Sequence, residues 1–174
     1  MTQSKINFLR IFFVLTCVAY AGGYTAQGAT PLTTKADCVL VLKQRHVLQL
    51  LRLGRVLKEY KVALGGSPVG PKSQQGDHKT PEGLYTLDSR NAKSQYYKSL
   101  HISYPRSEQR AAARKRGVSP GGDVFVHGLP SRYRKVGAAH RLYDWTDGCI
   151  AVTDEEMGEI WESVADGTPI EIRP

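Results

Sequence analysis

A mostly β domain with one or two packed helices is what this 174-residue chain predicts. Three observations lead there. Short runs rich in aliphatic residues recur at Cys38 to Leu42, Val47 to Leu51 and Val56 to Leu64, with Gln44-Arg45 and Leu53-Gly54 as tight turns between them. One stretch alone, after Thr153, combines a cap with a clear helical stripe. The length suits one compact domain with a real core and is short for two.

The first 21 residues do not count toward that domain. Lys5 and Arg10 form a basic start, residues 11–20 are nearly all apolar, and Ala19-Tyr20-Ala21 is a small-x-small cleavage site. That is the anatomy of a secretory signal peptide, with an apolar run too short for a membrane span. An uncleaved anchor is the alternative; lipidation at Cys17 is opposed by the bulk of Thr16. Residues 22–36 read as a flexible leader and 37–174 as the folded domain. The expected location is the periplasm or cell envelope.

The first three runs form a β-meander. Gly65-Gly66-Ser67-Pro68-Val69-Gly70-Pro71 ends it and opens a polar loop to Gly83, where Thr80-Pro81-Glu82-Gly83 turns into a strand from Leu84 to Leu87. Leu100 to Tyr104 is another short strand. Ser107 to Arg116 has helical composition, with Gly117 and Pro120 placed to stop it. Asp123 to His127 is a strand that delivers a histidine to its own end. Thr153 caps the last helix with Glu156 as its capping-box partner. Met157, Ile160, Trp161 and Val164 form its apolar stripe, which reads as core. Gly167 ends the helix, and Thr168 to Ile172 is a closing strand.

Twenty-four Lys and Arg against 16 Asp and Glu give a formal charge of +8, which falls to +6 when Lys5 and Arg10 leave with the signal. A basic exported protein can meet nucleic acid, anionic lipid or an anionic wall polymer. No nucleic-acid motif accompanies the charge, and its main cluster, Arg106 to Arg116, reads as a solvated face.

Cys38 and Cys149 remain after the signal is removed. In an oxidising compartment they can pair, or serve separately. Cys38 starts a strand and reads as structural. Cys149 follows Gly148 in "DWTDGCIAV", where a missing side chain lets the amides of Asp147, Gly148 and Cys149 share a space as an oxyanion hole. His127, followed by Gly128, lies 22 positions earlier and can act as its base. From the residues alone, an inert buried cysteine stays open beside a nucleophile.

From Asp37 onward the chain resembles the YkuD-type L,D-transpeptidase catalytic domain. The resemblance is carried by "VLVLKQRHVLQLLRLGRVLKEYKVALG", "GDHKTPEGLYTL", "VFVHG" with His127-Gly128, and Thr146-Asp147-Gly148-Cys149-Ile150. It implies a β-sandwich or mixed sheets with one or two helices. Asp147 stands where the family usually has histidine, and Ala151 where it has Arg or Asn. Those departures resemble the YafK-like branch, whose members cut as well as form peptidoglycan amide bonds. The expectation for Asp147 is a carboxylate that points away from the thiol or holds Arg141 or another cation.

The resemblance implies Cys149 as nucleophile, His127 as base and the Gly128 carbonyl as orienter of the imidazole. It implies peptidoglycan stem peptides as substrate, carbapenem β-lactams as inhibitors, and no metal or cofactor. Hydrolysis of the acyl-enzyme is the alternative outcome, and a non-catalytic wall-binding module the rival class. Tyr104, Arg132, Tyr143 and Trp145 are weaker candidates to line the groove. His78, His101 and His140 read as surface or strand histidines. Lys72, Asp77 and Lys79 read as part of a mobile loop flanking the cleft.

Overall fold

The structure is a computed structural model that describes residues 35–174. The expected signal peptide and most of the leader lie outside the described residues. Among the described residues no helix is long and apolar enough to cross a membrane.

Eight strands form one mixed sheet: β1 (Cys38–Leu42), β2 (Val47–Arg52), β3 (Arg55–Lys61), β4 (Gly83–Ser94), β5 (Tyr97–Ile102), β6 (Phe125–His127), β7 (Ile150–Ala151) and β8 (Thr168–Arg173). Their order is β3-β2-β1-β8-β4-β5-β6-β7. The β1–β8 and β6–β7 pairs are parallel and the other neighbours antiparallel. The two ends of the sheet meet, because Ala63, just past β3, bridges Ala151 of β7, and Gly65 bridges Thr146. The mostly β class is as expected, and the sandwich takes the form of one curled sheet.

The meander follows from its side chains. Leu48, Leu50, Val39 and Val41 are fully buried, while the turn residues Leu53 and Gly54 are exposed. Helix α1 (Ser107–Lys115) buries only Ala113, which fits its reading as a solvated basic face. Helix α2 (Asp154–Ser163) packs on β5 and β6. Its capping box is present: Thr153 Oγ1 accepts the Glu156 amide at 3.3 Å, and Glu156 Oε2 accepts the Thr153 amide at 3.0 Å. Met157, Ile160 and Val164 are buried in the core. Trp161 is only half-buried, its ring covered by Arg90 at 4.6 Å and Lys98 at 5.3 Å.

Two features go beyond the sequence reading. β4 continues past Leu87 to Ser94 and pairs with β5 as a long hairpin. Ser131–Leu142 forms 3-10 turns broken at Gly137, where φ is 52°. The body also starts earlier than Asp37: Ala36 is buried and donates its amide to the Ser163 carbonyl at 2.8 Å.

The loop expected to be mobile is tied down. Lys43, 3% exposed, sends its Nζ to the Gly70 and Thr80 carbonyls at 2.7 and 3.0 Å and to Glu82 at 2.7 Å. Asp77 pairs with buried Lys72 at 2.8 Å and accepts the amides of Ser73, Gln74 and Lys79. Burial opposes ionisation of Asp77, but these donors outweigh it and hold the carboxyl down at about 2.

Candidate active site

β6 ends at His127, and β7 begins one residue after Cys149. Val126 stands opposite Ile150 and His127 opposite Ala151 in parallel register. Side chains alternate along a strand, so Cys149, two before Ala151, faces the same side as His127. Both line one open cavity of about 810 Å³.

His127 is 3% exposed. Tyr96 packs on its ring at 4.5 Å between centroids, and Trp145 meets it edge-on at 5.9 Å. Its Nδ1 donates to the Gly128 carbonyl at 2.6 Å. A carbonyl only accepts, so this bond assigns the proton to Nδ1 and leaves Nε2 with the lone pair. Burial lowers the imidazole to about 4, with the Gly128 bond opposing.

Cys149 is part-exposed, so its sulfur is not sealed from the cavity. Burial pushes the thiol up to about 11. The Phe125 amide and Lys72 pull it down, while Asp147 and Asp123 push it up. The thiol donates to the Asp123 carbonyl at 3.7 Å, and among the described residues no hydrogen bond joins it to His127. Both shifts, His127 down and Cys149 up, favour a protonated thiol beside a neutral imidazole over an ion pair. Both Cys38 and Cys149 are free, which removes the paired-cysteine alternative from this structure.

The turn before Cys149 is built on Thr146. Its Oγ1 donates to the Cys149 carbonyl at 2.7 Å and accepts the Gly148 amide at 3.1 Å. Its backbone joins Leu64 and Gly66 at 3.1 and 3.0 Å, which fixes the turn to the seam of the sheet. Asp144 adds a second clamp, accepting the Leu64 amide at 2.8 Å and meeting His46 at 2.9 Å. Gly148 has φ +128°, and a Cβ there would stand 2.5 Å from the Lys79 carbonyl oxygen. Of the three amides expected as an oxyanion hole, that of Gly148 is committed to Thr146. Those of Asp147 and Cys149 remain.

Asp147 turns its carboxylate outward, where it meets His78 Nδ1 at 2.7 Å. The expected partner Arg141 instead pairs with Glu156 of α2. Arg132, Tyr143 and Trp145 line the cavity. Tyr104 does not: it is 3% exposed, packs edge-on against Tyr85 and donates its hydroxyl to the Pro120 carbonyl at 2.9 Å. An aromatic side chain near a loop reads alike in sequence whether it faces a groove or the core.

His140 corrects the sequence reading as well. It is 5% exposed, lines the cavity and accepts the Trp145 indole N–H at Nδ1 over 3.4 Å, while its Nε2 is buried without a partner. Burial and then Arg141 lower it to about 4. No periodicity marks this residue, because the 3-10 stretch that carries it has none. Tyr96 and Tyr133 are further cavity residues that the sequence did not single out. His101 is a strand histidine as expected, paired with Asp88 at 2.6 Å. Among the described residues no group of three or more His, Cys, Asp or Glu side chains is placed to hold a metal ion.

Comparison with known proteins bears on the same region. YafK of Escherichia coli strain K12, provisionally named an L,D-transpeptidase, is 26% identical over 176 residues, covering 92% of this chain. The chain spans only 63% of that relative's length. Among solved structures, the helical cell shape determining protein Pgp2 of Campylobacter jejuni superposes with a TM-score of 0.61 at 24% identity, over 81% of this chain and 48% of that one. L,D-transpeptidase 3 of Mycobacterium tuberculosis, in complex with a faropenem-derived adduct, gives 0.53 at 14% identity, over 80% and 60%. Both share the fold. The sequence profile of the YkuD L,D-transpeptidase catalytic domain matches residues 36–172, and the chain belongs to that family.

Proposed function

We propose that the chain is an exported, peptidoglycan-modifying cysteine enzyme that transfers a stem peptide through an acyl-Cys149 intermediate. The observation that carries this reading is that Cys149 and His127 face one cavity from adjacent parallel strands. The cavity, about 810 Å³, is within the usual range for pockets that hold a small ligand.

In this reading the thiol turns from the Asp123 carbonyl toward His127. Nε2 takes its proton as sulfur attacks the carbonyl that follows the L-centre of meso-diaminopimelate in a tetrapeptide stem. The amides of Asp147 and Cys149 face the developing oxyanion. Collapse breaks the amide C–N bond, and His127 returns the proton to the departing D-alanine amine. The Gly128 carbonyl holds the imidazole in the required tautomer, as an aspartate does in a serine triad. An acceptor amine then attacks the thioester and gives a proton to Nε2, which passes it to the leaving sulfur. The product is a 3→3 cross-link or an anchored protein. Water as acceptor gives a tripeptide, the carboxypeptidase outcome.

A solved structural relative carries a faropenem-derived adduct, which supports a β-lactam as probe. Intact-mass spectrometry after mixing with a carbapenem is expected to show one adduct that is absent in Cys149→Ser. No adduct on the native chain would sink the acyl-enzyme reading. Tetrapeptide muropeptides then separate the outcomes: dimers mean transfer, and monomeric tripeptide alone means hydrolysis. Wall binding with no muropeptide change would favour the non-catalytic module.

A further inference from the structure

A carboxylate two residues before a nucleophilic thiol is an electrostatic liability. Turned inward, Asp147 would oppose both the thiolate and the oxyanion that forms beside its own amide. The structure holds it outward. His78 Nδ1 lies 2.7 Å from Asp147 Oδ1, on the rim of the cavity.

The placement of His78 is itself fixed by backbone. Its φ is +51°, a left-handed conformation, and its carbonyl accepts the Ser67 amide at 2.9 Å. The neighbouring Asp77 is spent on Lys72 and three amides, and Thr80 on the far side accepts the Gly65 amide at 3.0 Å. The loop is thus rigid on both sides of the imidazole that meets Asp147.

We infer that His78 is a positioning residue for the thiol chemistry: it holds the Asp147 carboxylate on the outer rim and keeps its negative charge from moving closer to Cys149. The inference rests on Cys149 being the nucleophile. The charged groups that act on that sulfur are Asp147 from its own turn, Asp123 from the loop before β6 and Lys72 from the loop beneath, and the neutral His127 faces the cavity from β6. Of these, Lys72 is locked to Asp77, so Asp147 is the group whose position depends on His78.

The test is the rate of Cys149 alkylation by iodoacetamide in a charge-and-restraint cycle. His78→Ala is expected to slow alkylation about threefold at neutral pH, equivalent to about half a pKa unit on the thiol. The deficit shrinks to about twofold near pH 11, where the native thiol is half ionised, and closes only above that. Adding His78→Ala to Asp147→Asn is expected to change nothing, because no charge remains to be restrained. His78→Asn keeps a donor near the Nδ1 position and recovers most of the rate. A purely structural role for His78 would slow both backgrounds equally and at all pH values, and that result would overturn the inference, as would His78→Ala reacting like the native chain. The exposed pair contributes little to stability, so His78→Ala should melt with the native chain. The carbapenem adduct on the unmodified chain is scored separately, so that failure of the nucleophile assignment and failure of this inference give different results.

Discussion

His127 donates its Nδ1 proton to the carbonyl oxygen of the residue that follows it, Gly128, at 2.6 Å. The bond makes the imidazole a base at Nε2, and burial lets it stay neutral down to about pH 4. Carbapenem acylation is therefore expected to stay level from about pH 9 to about pH 5 and to fall as pH drops through about 4, when Nε2 is protonated and can no longer accept. Thiolate ultraviolet absorbance should be missing at neutral pH and emerge only near pH 11. A thiolate signal at neutral pH would mean that the resting pair is ionic.

The same burial sets an acid limit on stability. His127 and His140 both titrate near 4 in the fold against 6.5 for a free side chain. Below about pH 6.5 the unfolded chain takes up protons that the folded chain refuses, so stability is complete above that value and drains away toward pH 4. Melting temperature should decline across this window, and His140→Gln should flatten the decline. A melting temperature constant from pH 7 to 4 would contradict the buried neutral pair.

Gly148→Ala should be far worse than its size suggests. Its Cβ would meet the Lys79 backbone oxygen at 2.5 Å, at a φ that side chains rarely adopt. The Lys79 carbonyl is backbone and not a flexible side-chain tip, so we expect a loss of about 2 kcal/mol or more and at least a hundredfold slower adduct formation. Chemical denaturation and the mass assay read these separately.

Asp77→Asn tests whether the loop beneath the site is held by its carboxylate. The amide keeps the shape but gives up the charge that Lys72, 6% exposed, depends on. A loss of about 2–3 kcal/mol in denaturant unfolding is expected, because one half of a buried pair is left behind. An unchanged midpoint would mean that the loop stands without it.

What the sequence could show depended on whether local pattern or distant packing decided the structure. The capping box at Thr153 and Glu156, and the stripe of Met157, Ile160 and Val164, act within one helix and were legible. The juxtaposition of His127 and Cys149 was legible through the family resemblance, because the residues alone left an inert cysteine open beside a nucleophile and, of Gly128 and Gly148, only Gly148 has a positive φ. The continuation of β4 through Asp88, Ser89, Arg90 and Asn91 has no alternation; β5 holds it by pairing. His140 and Lys72 are polar residues buried in the fold, their partners Trp145 and Asp77 lying five residues on in irregular segments whose pattern does not announce it. Tyr104 failed for the opposite reason, since its ring suits a groove but the hydroxyl found Pro120.

The eighth strand in sequence order occupies the middle of the sheet. β8 lies between β1 and β4, and among the described residues it is the strand that joins the half formed by β1 to β3 with the half formed by β4 to β7, the far edges being closed by bridges alone. Without β8 the two halves of the sheet keep the bridges Ala63–Ala151 and Gly65–Thr146 but lose the strand that braces them from the other side. Deleting Thr168–Arg173 should thus loosen the frame behind β7 and shift the Cys149 thiol toward ordinary solution reactivity.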